Sequence, residues 1–172
     1  MTEKERLFLA NQYLILSKLD ENNAEHYKRM VKVVEQGYEY DLNLILDSTR
    51  DVFPDNKCRF TLDVLQMYFE IISSYEELKR NNVKIDLKEN DIRFPGFDGN
   101  KESEYLCYAI FVLEDPHRFD YIKKYPGDDN NSHYPTIERY KRSLVVYNEI
   151  SQLKGVHRLP LSEDEINRII KA

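Results

Sequence analysis

Apolar residues recur at helical spacing along most of this chain. Leu7, Phe8, Leu14, Ile15 and Leu19 follow Thr2-x-x-Glu5, the signature of a capping box in which two side chains satisfy each other's backbone N–H groups. The pattern predicts an opening helix. Turn-forming and N-capping residues cluster from Asp20 to Asn23. Tyr27, Met30, Val31 and Val34 then share one helical face, and Gly37 stands where a left-handed C-terminal residue belongs. An antiparallel helix pair is expected. The run from Tyr38 to Leu46 alternates for several residues like a half-buried strand, yet no second run of matching quality is present to pair with it. It is read as a short helix or an extended segment.

Pro54-Asp55-Asn56 opens the longest helical pattern, with Cys58, Leu62, Leu65, Phe69, Ile72 and then Tyr75 or Glu76 at steps of three and four. This helix, from about Asn56 to Arg80, is apolar on most sides, so neighbours are expected all around it. Asn81-Asn82 ends it. A long connection runs to Asn100, and a further helix carries Tyr105, Leu106, Ala109, Ile110 and Leu113 until Asp115-Pro116 stops it. A second long connection, rich in Pro, Gly, Asp and Asn, reaches Pro135. Thr136 starts a helix through Tyr140, Leu144, Tyr147 and Ile150, and Ser162-x-x-Glu165 is a second capping box before Ile166, Ile169 and Ile170. With no internal repeat or low-complexity tract, residues 1–172 are expected to form one all-α domain. It would be a helical bundle with a long central helix and two long connecting loops.

Composition supports this class. At 172 residues, roughly 70% of the unfolded surface is buried on folding, so no disulfide or metal is needed as a staple. The 41% hydrophobic and 33% charged residues are those of a soluble globular protein, and 5 Gly and 6 Pro are too few for a loop-dominated one. Thirteen Tyr and eight Phe occur without any Trp, and tyrosines bury the ring while keeping the hydroxyl hydrogen-bonded. The net charge of −6 and pI near 5.3 disfavour general phosphate-backbone binding. Cys58 and Cys107 lack CxxC spacing and are read as reduced, packed thiols. No apolar run approaches the roughly 18 residues of a membrane span. The N-terminal MTEKERLFL is acidic where a signal peptide has a basic region, so the expected setting is the cytoplasm, with no membrane partner.

Several stretches resemble the YfbU family of small bacterial proteins, whose function is largely uncharacterised. They are Asn11-Gln12-Tyr13, Asn23-Ala24-Glu25-x-Tyr27, Glu35-x-Gly37-Tyr38, Cys58-Arg59 with Met67-Tyr68, and Gly96-Phe97-Asp98 with Glu104-Tyr105-Leu106. The most specific is Leu161-Ser162-x-x-Glu165-Ile166-Asn167-x-Ile169-Ile170-x-Ala172. The resemblance spans the chain and implies a single, mostly helical domain, with no catalytic motif to carry over. The segment from His117 to Ser132 departs in length and residues from a member of that family.

Candidate chemistry is sparse. His26, His117, His133 and His157 are scattered, and a metal would need Asp115, His117, Asp120, Asp128, Asp129 and His133 to fold together, at spacings that fit neither an EF-hand nor a zinc site. No metal and no cofactor is expected. Cys58 lies near a helix N-terminus and directly before Arg59, both of which lower a thiol's pKa, whereas Cys107 reads as core. Arg59, among apolar neighbours, wants a carboxylate or a backbone carbonyl, and Asp63 one turn on is a ready partner. Asn11-Gln12-Tyr13 interrupts an apolar face with amides, which could bind a ligand or tie two helices together, buried hydrogen bonding being the expected use. Basic and aromatic residues interleave in Tyr121–Tyr125 and Arg139–Arg142, where a solvated face with Tyr140 turned inward outranks nucleic-acid contact.

The stretch Arg93-Phe-Pro-Gly-Phe-Asp-Gly-Asn100 reads as a turn. Pro95-Gly96 suits the centre of a type II turn, Phe94 and Phe97 anchor it, and Asp98 or Asn100 would cap the helix beginning near Lys101. The leading expectation is a non-enzymatic interaction or regulatory module, with a protein partner or self-association. The runner-up is a small enzyme or ligand-binding protein using Cys58, Arg59, Arg93 and the loop near Asp98. Nucleic-acid binding through the basic and tyrosine-bearing helix faces ranks last.

Overall fold

The computed structural model describes residues 1–47, 52–115, 117–127, 129–155 and 159–172. Pro116, Asp128 and His157, each assigned a part in the sequence reading, lie outside the described residues. Among the described residues the chain is all-α, with nine α-helices, one short 3-10 turn and no strand. Its internal packing falls into two compact units, Met1–Val52 and Phe53–Ala172.

The first unit contains α1 (Glu3–Leu19), a 3-10 turn (Glu21–Asn23), α2 (Ala24–Gln36) and α3 (Glu39–Asp47). The Thr2 capping box forms in full: Glu5 N–H donates to Thr2 Oγ1 at 3.3 Å, and Thr2 N–H donates to Glu5 Oε2 at 2.6 Å. Asp20 stops α1 and starts the turn, its carboxylate accepting from the Asn23 N–H. α1 packs along α2, as the expected helix pair does. Gly37 ends α2 at φ 70°, and the N–H groups of Gly37 and Tyr38 both donate to Val33 O, so the otherwise orphaned carbonyl is satisfied twice. Of the two alternatives for residues 38–46, helix is the one formed, since no strand is available to pair with an extended segment. The core of this unit is small: Ala10, Val33, Val34 and Leu42 are buried, with Leu9, Tyr13, Met30 and Ile45 half-buried against them.

The second unit is built around α4 (Asp55–Arg80), followed by α5 (Glu89–Ile92), α6 (Ser103–Glu114), α7 (Asp120–Lys124), α8 (Ile137–Lys154) and α9 (Glu163–Ile170). α4 packs against α5, α6, α7 and α8, and α9 packs on α8. That surround explains why α4 is apolar on most sides. Val64, Leu65, Met67, Ile71 and Ile72 are fully buried, and each such side chain contributes about 2 kcal/mol through apolar burial.

Three local expectations are corrected. The connection after α4 contains α5, and the second connection contains α7, whose buried Ile122 anchors a segment otherwise rich in turn residues. Cys107 is exposed on α6 rather than in the core. Asp98 caps no helix; its Oδ1 accepts from the Asn100 N–H at 3.0 Å, while Glu102 stands at the start of α6. Thr136 stands at the start of α8 as expected, with its hydroxyl turned to Glu102 rather than to the helix N-terminus.

Candidate functional site

The loop 93–100 is a structural joint. Phe94 and Phe97 are buried, Gly96 has φ 88°, and the Gly96 carbonyl accepts from the Tyr140 hydroxyl at 2.6 Å and from Thr136 Oγ1 at 3.2 Å. Phe97 donates its N–H to Asn130 O and accepts from Ser132 N–H, so the loop is zipped to residues 130–132. Glu102, only 6% exposed, accepts from Asp98 N–H, from the backbone N–H groups of Thr136 and Ile137, and from the Thr136 hydroxyl. It thereby caps α8 from 34 residues away.

Of the four residues singled out by sequence, two lie near the start of α4. Cys58 is half-buried, and its thiol donates to Phe53 O at 3.7 Å. Arg59 is exposed, and its Nε donates to Asp55 Oδ2 at 2.6 Å instead of reaching Asp63. Burial raises the Asp63 carboxyl, and the Arg59 charge offsets that only in part. Asp98 is 3% exposed and committed to its own turn. Arg93 lines a cleft. Among the described residues no three His, Cys, Asp or Glu side chains converge as a metal group.

That cleft, about 730 Å³ in volume, is lined by side chains from α4 (Tyr68), α5 (Asn90, Asp91), α8 (Arg139) and α9 (Glu163, Asp164, Asn167), with Asp86, Arg93, Tyr134 and Lys171 between them. Arg139 is half-buried: its Nη2 donates to the Tyr68 hydroxyl at 3.4 Å, and its guanidinium carbon lies 5.2 Å from the centroid of the Tyr140 ring. Burial pushes the Tyr68 hydroxyl up to about 12, so it stays a neutral phenol. Sequence pointed to Tyr140 turning inward, which it does, but passed over Arg139 as part of a solvated face. The only local signal was an arginine directly beside a core tyrosine.

The second surface is on α1. Leu7, Phe8, Leu14 and Ile15 are 64%, 72%, 49% and 51% exposed, and Asn11 and Gln12 are exposed among them rather than buried in hydrogen bonds that tie two helices together. Beside them a groove of about 340 Å³ runs between α1 and α2, floored by Ala10, Val31 and Val34.

Comparison with known proteins is consistent along the whole chain. A family model described as the YfbU domain matches residues 1–172. The chain is also similar to a protein of Methanocaldococcus jannaschii described as UPF0304 protein MJECS11, at 34% identity over 174 residues, covering 100% of this chain and 99% of the relative.

Proposed function

The chain belongs to the YfbU family, and from that premise we propose that it is a non-enzymatic, cytoplasmic interaction module that self-associates through α1. The observation that carries this reading is the symmetry of the exposed stripe. Counted from Asn11, the apolar residues fall at −4 (Leu7), −3 (Phe8), +3 (Leu14) and +4 (Ile15). A two-fold contact requires that residue i meet j while j meets i, and a stripe symmetric about its centre meets that requirement when two copies cross antiparallel at Asn11. An amide at the crossing point is self-complementary, donating and accepting at once, and a lone Asn within an apolar seam fixes register.

Size supports the same occupant. Leu7, Phe8, Leu14, Ile15 and the flanking Leu19 at their observed exposures present at most about 600 Å² per copy, so full coverage in the pair would bury about 1,200 Å², the lower end of the range of specific association. The groove beside Leu7 and Leu14 offers a receptacle for Phe8 of the second copy. Light scattering coupled to size exclusion, run over a wide concentration range, tests the reading. A dimer is expected for the wild type. Phe8→Asp and Ile15→Lys should be monomeric with unchanged helicity by circular dichroism. A wild type that stays monomeric at high concentration, or variants that stay dimeric, would overturn it.

A further inference from the structure

The cleft around Arg139 is independent of the α1 stripe and carries a different kind of site. A guanidinium cannot shed its charge, and holding one half-buried without a counter-ion costs free energy that a ligand carboxylate or phosphate would recover through paired N–H donors. Among the described residues Arg139, Arg93 and Lys171 form no ion pair. Arg139 is nonetheless aimed and held, between the Tyr68 hydroxyl and the Tyr140 ring.

The same cleft contains four carboxylates, and these decide the class of ligand. Glu163 Oε1 accepts from the N–H groups of Asp86 and Leu87 at 2.7 and 2.9 Å, and Asp91 Oδ2 accepts from Lys88 N–H at 2.8 Å, so both are committed to the wall. Asp86 and Asp164 complete the set. Such a wall repels nucleotides and other polyanions. It is complementary to a molecule whose single carboxylate is accompanied by its own ammonium group, which Asp86, Asp164 and the amide oxygens of Asn90 and Asn167 could face.

We propose that this cleft binds a small zwitterionic carboxylate of the amino-acid class, with the carboxylate on Arg139 and Arg93 and the ammonium towards the acidic wall. The site lies wholly within the second unit and does not depend on self-association. Thermal unfolding of the full chain with each of the twenty common amino acids at millimolar concentration tests it, with ATP and inorganic phosphate as comparators. At least one amino acid is expected to raise Tm saturably. Arg139→Gln should abolish that shift, and the exposed Arg93→Gln should weaken binding by about tenfold while leaving the fold intact. Three results would overturn the proposal: no amino acid moves the wild-type Tm, the shift survives unchanged in both variants, or ATP or phosphate produces an equal shift.

Discussion

Glu102 grips Thr136 with both carboxylate oxygens: Oε1 accepts the Thr136 backbone N–H at 2.8 Å, and Oε2 accepts its hydroxyl at 2.9 Å. Both residues are buried. The same carboxylate takes the Ile137 N–H at 3.0 Å and the Asp98 N–H at 3.1 Å. One side chain therefore closes the N-terminus of α8 and fixes the loop that precedes α6, at the end of a helix where negative charge is favourable.

Removing it leaves several buried donors without a partner. Glu102→Ala should lower the unfolding free energy by about 3 kcal/mol, and Glu102→Gln by less, because the amide oxygen retains some of the bonds without the charge. Urea denaturation of the two variants checks the order. Equal stability of Glu102→Ala and wild type would show that the network contributes nothing.

Gly96 is the second point at which this joint is rigid. At φ 88° it occupies a region that side chains avoid, and a Cβ built there would stand 1.6 Å from Asn130 O. That oxygen belongs to the backbone and already accepts the Phe97 N–H, so it cannot retreat without breaking the contact between the two loops. Gly96→Ala should therefore cost about 3 kcal/mol or prevent folding. Expression yield and thermal unfolding give the readout.

The two thiols should differ in the order opposite to the sequence-based expectation. Cys107 is exposed, whereas Cys58 is half-buried, with its thiol donating to Phe53 O and the Tyr108 hydroxyl beside it. Native protein treated with a chromogenic disulfide should show one fast and one slow phase. Cys107→Ser should remove the fast phase. A fast phase that disappears only in Cys58→Ser would instead restore a reactive Cys58.

These contrasts show which interactions a sequence exposes. Both capping boxes were legible because their partners are three residues apart, and the positive φ of Gly96 because φ preference is a local property. The type II turn expected at Pro95-Gly96 is not formed, since the Phe97 N–H goes to Asn130 O instead. Glu102 and Thr136 are 34 residues apart and Arg139 and Tyr68 are 71 apart, so no spacing rule reaches them. Arg59 had a carboxylate one turn away in each direction, and only the geometry of the first turn of α4 selects Asp55 over Asp63. For α1, periodicity identified residues that share a face. It does not say whether anything covers that face, and Leu7, Phe8, Leu14 and Ile15 stand in solvent. α7 escaped notice because five helical residues between Pro- and Gly-bearing stretches carry too little periodicity to register.

Acid should loosen the second unit through Glu76 and Glu165. Burial raises the Glu76 carboxyl, but hydrogen bonds from Lys124 and Tyr125 outweigh it and hold the group below its ordinary value of 4.5. Glu165 is held down in the same way, with burial opposed by the Ser162 N–H and the Lys154 ammonium. A carboxylate whose folded pKa lies below its unfolded one binds fewer protons in the native state. Its contribution is fully present above the unfolded value and is lost as pH falls through the folded value. Unfolding free energies from urea titrations should therefore be flat near neutrality and decline from about pH 4.5 downwards. Glu76→Gln should be less stable at neutral pH and show a shallower decline, because one of the two titrating groups is gone. If the variant follows the wild-type slope, the Lys124–Glu76–Tyr125 contact does not act on the carboxyl as described.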